Sequence, residues 1–191
     1  MGMGTLVAGV LVWSIVHLFP ALAAGSRQAL IARLGNGPYR GLFALSIVVS
    51  LVCIVLGWRS TTPVDVYAPS PALRPVTLVL VYFALVLFVS ARLPTDIKRV
   101  IRHPQLTGVL TWAIAHLLSN GDSRSLVLFG GLGLWAIVEI IVISGREGAW
   151  RKPEPVGAMR SALPVLIGAI AWVVLAFAHP WIAGVPVLVR N

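Results

Sequence analysis

Residues 4–24 read GTLVAGVLVWSIVHLFPALAA, a run of 21 residues without a single Asp, Glu, Lys or Arg. A helix of about 20 apolar residues crosses the roughly 30 Å of hydrocarbon in a bilayer, because each residue rises about 1.5 Å. This run therefore predicts a transmembrane helix. A cleaved signal peptide is the alternative, since Ala21-Leu22-Ala23 resembles a cleavage site, but no basic residue precedes the run and it is longer than a usual signal core.

The composition of the whole chain points the same way. Of its 191 residues 58% are apolar and 11% are charged, and the mean hydropathy is +0.93. A soluble domain carries about 25% charged residues, so this composition excludes one. The net charge of +9 would suggest nucleic acid in a soluble protein. In a membrane protein, basic residues mark cytoplasmic loops instead, and we expect no nucleic-acid partner.

The apolar runs divide the chain into six spans within a single domain, residues 1–191. We predict an all-α polytopic bundle with transmembrane helices at about 4–24, 41–58, 75–91, 105–119, 126–144 and 161–182. Of the 21 charged residues, only Glu139 falls inside a span. The segments between spans are rich in Gly, Pro, Ser and charge, which predicts loops. Pro104 precedes the fourth span and suits the first turn of a helix.

The basic residues are distributed unevenly between the two sides of this bundle. The first, third and fifth connections hold eleven of the fifteen: Arg27, Arg33, Arg40, Arg92, Lys98, Arg99, Arg102, Arg146, Arg151, Lys152 and Arg160. The positive-inside rule makes that side cytoplasmic, so both termini are predicted to face outward.

One segment of the first span is echoed in the fourth. Residues 9–18, GVLVWSIVHL, align without gaps to residues 108–117, GVLTWAIAHL, with seven identities in ten. Two explanations stay open. The echo can reflect a three-plus-three inverted repeat, because the two spans run in opposite directions, or it can be a chance resemblance of two apolar helices.

The echo pairs the two histidines that lie deepest in the spans. His17 and His116 each follow a tryptophan, Trp13 and Trp112, by four residues and thus share a helical face with it. Ionisable side chains inside a membrane generally face the bundle interior. Two imidazoles from facing helices are a common way to hold haem iron, and Cys53 is the only thiol. The alternative is that both histidines are satisfied core residues.

The remaining polar candidates lie nearer the interfaces. We interpret His103 as part of an exposed helix N-cap region, and His179 as an interfacial residue beside Trp181. Glu139 is about one turn from the cytoplasmic end of its span, where interfacial anchoring and proton handling are both open.

Three segments together carry a family resemblance. YRGLF at 39–43, RHPQLTG at 102–108 and WAIAHLLSNGD at 112–122, with His17 before them, resemble the NnrU family over most of the chain. The resemblance implies a bacterial inner-membrane protein associated with nitrite and nitric oxide respiration. The family is also related to zeta-carotene isomerase, which implies haem b with axial ligands at His17 and His116, and leaves carotenoid isomerisation as an alternative activity.

The resemblance also has a departure and a competitor. The isomerase has a cysteine at the position of Ala113, so a ligand switch onto that thiol is impossible here. If haem binds, Arg27, Arg40 and Arg102 are the predicted cationic partners of its propionates, with His103, Trp13 and Trp112 near the pocket. RHPQLTG at 102–108 also resembles the membrane methyltransferases of the isoprenylcysteine type, which use S-adenosylmethionine. Leu106 replaces their usual tyrosine, so this function ranks lower.

Overall fold

Helices account for most of residues 2–187, which are the residues that this computed structural model describes. They are α1 (Gly2–Leu22), α2 (Ala24–Leu34), α3 (Asn36–Ser60), α4 (Arg74–Arg92), α5 (Pro104–Leu117), α6 (Ser123–Ser125), α7 (Gly131–Glu147) and α8 (Ala158–Ala183). A π-helical turn, Leu126–Gly130, joins α6 to α7 into one continuous helix. The predicted all-α fold is confirmed.

Five helical stretches are long and apolar enough to cross a membrane: Gly2–Leu22, Asn36–Ser60, Pro71–Arg92, Ser123–Glu147 and Ala158–Ala183. The predicted multi-pass membrane protein is therefore confirmed. The predicted fourth span is α5, which begins at Pro104 as expected but has only 14 residues. At 1.5 Å per residue it is about 21 Å long, which is less than the hydrocarbon thickness.

The first connection differs from its prediction as a loop. Residues 24–34 form α2, which has no buried residue, and α3 begins at Asn36 rather than near residue 41. Ala, Leu, Gln and Arg dominate this segment and are strong helix formers, so a charged segment too polar to span the membrane still becomes helical. Gly35, at φ +82°, separates the two helices, because a left-handed backbone angle is open to glycine.

The large helices pack in an order that differs from their order in the chain. Side by side they run α3, α1, α7, α5, α4 and α8, so α7 lies between α1 and α5. Glycines set the spacing at the two junctions of α7. A Cβ on Gly131 would lie 2.6 Å from Val10 of α1, and one on Gly133 would lie 3.3 Å from Ala113 of α5.

The α1 and α3 pair is the most closely packed of the row. A Cβ on Gly57 would lie 2.3 Å from the backbone nitrogen of Leu6, and one on Gly9 would lie 2.8 Å from that of Ile54. Leu6 is fully buried, and Val10 and Ile54 form a core cluster with it. The two backbones therefore approach each other closely at these glycines. Such packing is common between membrane helices, because lipid is as apolar as a helix surface and apolar burial does not drive their association.

The packing order differs from the one that an inverted repeat, one of the two explanations left open for the echo, would give. That repeat superposes α1 on α5 and α3 on α7, so α5 would have to pack on α3 as α1 packs on α7. Within residues 2–187, α1 and α7 instead separate α5 from α3. The echo has a local explanation. Gly9 lets α3 approach α1, and Gly108 lets α4 approach α5. In both helices the tryptophan follows the glycine by four residues and the histidine by eight.

A loop contact fixes the end of the bundle opposite to the basic connections. The backbone amides of Val66 and Tyr67 donate to the carbonyl of Gly121, 2.9 and 3.1 Å away, and the Tyr67 hydroxyl donates to the Leu117 carbonyl. These hydrogen bonds tie the C-terminal end of α5 to the loop before α4.

Asp122 follows this contact directly in the chain. Burial opposes its ionisation, but hydrogen bonds from Ser125 and the charge of Arg124 hold its pKa below the usual range.

Candidate functional site

A cavity of about 970 Å³ lies beside α7, with α1 on one side and the first half of α5 on the other. Trp13 and His17 of α1 line it, together with Trp135 and Glu139 of α7. Basic side chains from the connections line its polar end: Lys98, Arg102 and Arg151. The cavity is therefore amphipathic, with an aromatic interior and a cationic mouth.

His17 has a defined hydrogen-bond arrangement. Its Nδ1 lies 2.8 Å from the carbonyl oxygen of Trp13, one turn earlier. A carbonyl can only accept, so Nδ1 carries the proton and, in the neutral ring, Nε2 keeps a free lone pair. Aromatic rings surround the imidazole, with centroid distances of 4.2 Å to Trp13, 5.1 Å to Trp135 and 5.9 Å to Phe43. His17 is thus oriented as a metal-binding imidazole typically is.

His116 repeats this arrangement on α5. Its Nδ1 donates to the carbonyl of Trp112 at 2.9 Å, which again leaves Nε2 with a free lone pair. Its ring stacks on Phe129 of the π-helical turn, with centroids 4.5 Å apart and an interplanar angle of 26°. Phe129 also meets Trp112 edge to face at 4.8 Å.

Both imidazoles therefore pack on the same helix at two heights. His17 lies beside Trp135 and His116 beside Phe129, six residues earlier, a rise of about 9 Å along the helix. His17 lines the cavity, whereas His116 and Trp112 lie outside its lining. The structure brings the predicted pair to one helix but not into one cavity.

Arg102 and His103 hold the polar end of the cavity together. The Arg102 guanidinium donates to the Glu147 carboxylate at 3.2 Å and to the Gly148 carbonyl at 2.9 Å. His103 Nε2 is 2.9 Å from the Ser144 hydroxyl, and burial, opposed by Glu147, lowers the pKa of His103. His103 sits at the N-cap position of α5, but it is partly buried and its side chain makes no cap bond, which corrects the expectation of an exposed residue.

The other two predicted arginines lie away from the cavity. Arg27 on α2 sits over the ring of Tyr39, 5.8 Å from its centroid, and Arg40 is exposed on α3. Neither lines the cavity. Arg27 and Arg40 therefore belong to the basic residues of the first connection, not to the lining of the cavity.

Two central residues of the cavity, Trp135 and Glu139, are each 6% exposed. Sequence reasoning did not name Trp135, and it left Glu139 open between interfacial anchoring and proton handling; the structure buries Glu139. Trp13 Nε1, Trp135 Nε1 and Glu139 Oε2 are buried without a well-aligned partner. The Trp135 side chain nevertheless interacts with the Glu139 carboxyl one turn later on α7. The available signal was that Glu139 is the only charged residue inside the predicted spans, because such residues are costly unless they have a function.

The family profile described as NnrU protein matches residues 5–187, nearly the whole chain. This chain belongs to the NnrU family. No curated protein and no solved structure shows a significant match to it. The NnrU match covers every residue of the cavity and both imidazoles, so the site lies entirely within the family domain.

Proposed function

We propose that this NnrU-family protein binds haem b within the membrane, where His17 and His116 would hold its iron, and acts in nitrogen-oxide respiration or redox handling in the bacterial inner membrane. The observation that supports this most directly is the matched state of the two imidazoles. Each donates Nδ1–H to the carbonyl four residues earlier on its own helix and so keeps Nε2 free for iron.

The surroundings of His17 suit a flat amphipathic group, whereas His116 lies outside this cavity and stacks on Phe129. The cavity beside His17 has aromatic walls, and Lys98 and Arg151 line its mouth, where carboxylates such as haem propionates would find cationic partners. Arg102 lines the same mouth, but its guanidinium is already engaged by Glu147 and Gly148. When bound, haem supplies one-electron redox chemistry at its iron. The protein supplies orientation: the Trp13 and Trp112 carbonyls fix the ring tautomers, and Trp135 and Phe129 pack against the imidazoles.

An absorption spectrum of the purified protein tests this proposal. We expect a reduced-minus-oxidised spectrum of low-spin haem b, with about one haem per chain, because two nitrogen ligands favour the low-spin state. A protein expressed with ample haem supply and purified in mild detergent that carries less than a tenth of one equivalent would refute haem binding.

Carotenoid isomerisation is the alternative within the haem class. Its substrate is a hydrocarbon that offers no hydrogen-bond partner, whereas the cavity contains the unpaired indole N–H of Trp13 and the buried carboxyl of Glu139. The cavity therefore suits a ligand with polar atoms better. The methyltransferase function gains no support from Arg102, because its guanidinium is engaged by Glu147 and Gly148 rather than free for a cofactor carboxylate.

We also propose six crossings with both termini outside, with α5 as the short fourth crossing. Three contacts at the ends of the helices support this. Arg146 at the end of α7 donates to the Pro20 carbonyl near the end of α1, and Arg102 just before α5 meets Glu147 at the end of α7. At its other end α5 meets the start of α4, where the Thr77 and Ser119 hydroxyls are 2.7 Å apart. The short helix thus connects the two ends of the bundle.

Reporter fusions test this orientation. A fusion after Gly157 should report cytoplasm and one after Asn191, which lies outside the described residues, should report the far side, because eleven basic residues mark the cytoplasmic connections. A fusion after Asn120 is the internal control for α5 and should also report the far side. Cytoplasmic signal after Asn120 would show that α5 does not cross.

A further inference from the structure

We propose that α2 is an interfacial helix that, together with the start of α3, binds the head groups of anionic phospholipids. Three arginines carry this inference: Arg27 and Arg33 on α2, and Arg40 on α3. All three are exposed, and none of them forms an ion pair within residues 2–187. This surface includes neither the cavity nor the two imidazoles, so the proposal goes beyond the proposed function and does not depend on haem.

The connections of α2 hold it at the membrane surface. One residue, Ala23, separates it from α1, and one residue, Gly35, separates it from α3. Since α1 and α3 are both long and apolar enough to cross a membrane, both ends of α2 lie at the ends of spanning helices. With 11 residues α2 is about 16 Å long, too short to cross the bilayer itself. It therefore has to lie at the level of the lipid head groups.

The side chains of α2 are distributed as in a helix that lies in this region. Leu30, Ile31 and Leu34 fall within an arc of about 100° around the helix axis. No residue of α2 is buried, and Leu30 and Leu34 are 39% and 43% exposed, so α1 and α3 leave this apolar face largely uncovered. Arg33 lies at its flank, about 100° from Leu34. An apolar face bordered by arginine is typical of interfacial helices.

The charge around α2 has one sign. The chain contains no Asp or Glu before Asp65, so the three arginines have no acidic neighbour in their own part of the sequence. Arg27 lies over the ring of Tyr39, with its guanidinium carbon 5.8 Å from the ring centroid, and this contact orients the side chain without neutralising its charge. Guanidinium groups pair well with phosphate oxygens, and anionic lipids present these at the level where α2 lies.

The apolar face of α2 distinguishes a lipid from an acidic protein segment, the other ligand that three arginines would attract. A soluble acidic segment would leave Leu30 and Leu34 in water. A phospholipid covers them with its acyl chains while its phosphate meets the arginines. A zwitterionic lipid carries its own cation, which offsets the charge of its phosphate, so an anionic lipid such as phosphatidylglycerol fits both features of α2 best.

Native mass spectrometry of the full chain in mild detergent tests the proposal. Phosphatidylglycerol and phosphatidylcholine with identical acyl chains are the competing probes. We expect the wild type to prefer phosphatidylglycerol, and the triple variant Arg27→Gln/Arg33→Gln/Arg40→Gln to lose about tenfold or more of this preference, because each basic side chain near an anionic surface contributes severalfold to binding. Soluble polyglutamate should not displace the bound lipid.

A second triple variant is the matched control for charge. Arg92→Gln/Lys152→Gln/Arg160→Gln also removes three exposed basic residues from the basic connections, but they lie outside α2 and outside the cavity lining. It should keep most of the preference for phosphatidylglycerol. No preference in the wild type, an equal loss in both triple variants, or displacement of the lipid by polyglutamate would overturn the proposal.

A fluorescent label tests the orientation of α2 with all three arginines in place, so this result holds even where the triple variant inserts poorly. Leu30→Cys and Ala32→Cys, each combined with Cys53→Ala to remove the only native thiol, place the label on faces about 160° apart. In phosphatidylglycerol nanodiscs we expect spin-labelled lipid to quench the label at residue 30, and aqueous iodide to quench the label at residue 32. Stronger iodide quenching at residue 30 than at residue 32 would contradict an interfacial α2.

Discussion

His17→Ala is expected to remove the low-spin haem b spectrum completely, and His116→Ala is expected to do the same. A low-spin iron with two imidazole ligands loses that state when either ligand is deleted, because alanine offers no donor atom. Both rings are fixed by carbonyls of their own helices. Absorption spectra and haem content of the purified variants measure the effect.

His179→Ala is the control for these variants. His179 lies close enough to His116 to interact with it electrostatically, but its Nδ1 donates to the Val185 carbonyl, and its removal should leave the haem spectrum unchanged. The two ligand variants also differ in what a partial result would mean. Retention of high-spin haem by His116→Ala, with its loss in His17→Ala, would assign iron to the cavity of His17 alone. Unchanged spectra in both variants would contradict the proposed ligands.

Gly57→Ala is expected to give the largest loss of stability of any single methyl addition at the described glycines of α1 and α3. The new Cβ would lie 2.3 Å from the backbone nitrogen and 2.6 Å from the Cα of Leu6. These are backbone atoms that no side-chain rotation can move aside, so α1 and α3 must separate. We expect a loss of about 3 kcal/mol or more in the free energy of unfolding, the upper range for overpacked cores.

Unfolding in detergent, followed by helix circular dichroism or tryptophan fluorescence, measures this loss. Gly41→Ala on the same helix is the matched control, because a Cβ there has nothing within 4 Å. That control should be neutral, or stabilising by up to about 1 kcal/mol, since alanine is the better helix former. Equal stability of the two variants would show that α1 and α3 do not pack as closely as described.

The membrane fold was predictable because it depends on composition, and the site was predictable only in part. Apolar runs fixed the helices to within a few residues, apart from α2, whose charge concealed its helix-forming residues. The tryptophan and histidine pairs were found from their depth and spacing. Trp135 was not, because it resembles any aromatic residue in an apolar helix, and its contact with His17 arises between helices far apart in the chain.

Glu139 shows a second limit of sequence reasoning. Its position one turn from the end of a span is equally compatible with an interfacial anchor and with a buried group. The packing of α1 and α5 on either side of α7 decides between an anchor and a buried group, because it buries the Glu139 carboxyl. The packing order itself could not be predicted, since apolar helices of similar composition leave the choice of neighbour to glycine positions and shape.

The position of α7 constrains how the protein is made. Ribosomes release α1 and α3 first and then α4 and α5, and each of these pairs is in direct contact, so each can assemble as a hairpin soon after insertion. The helix that joins the two hairpins, Ser123–Glu147, is synthesised only afterwards and has to enter between α1 and α5. The two early hairpins must therefore remain apart, or separate again, until Ser123–Glu147 has been translated. Assembly of this bundle consequently depends on the helix Ser123–Glu147. A message truncated before the codon for Ser123 would yield the two hairpins without the helix that joins them.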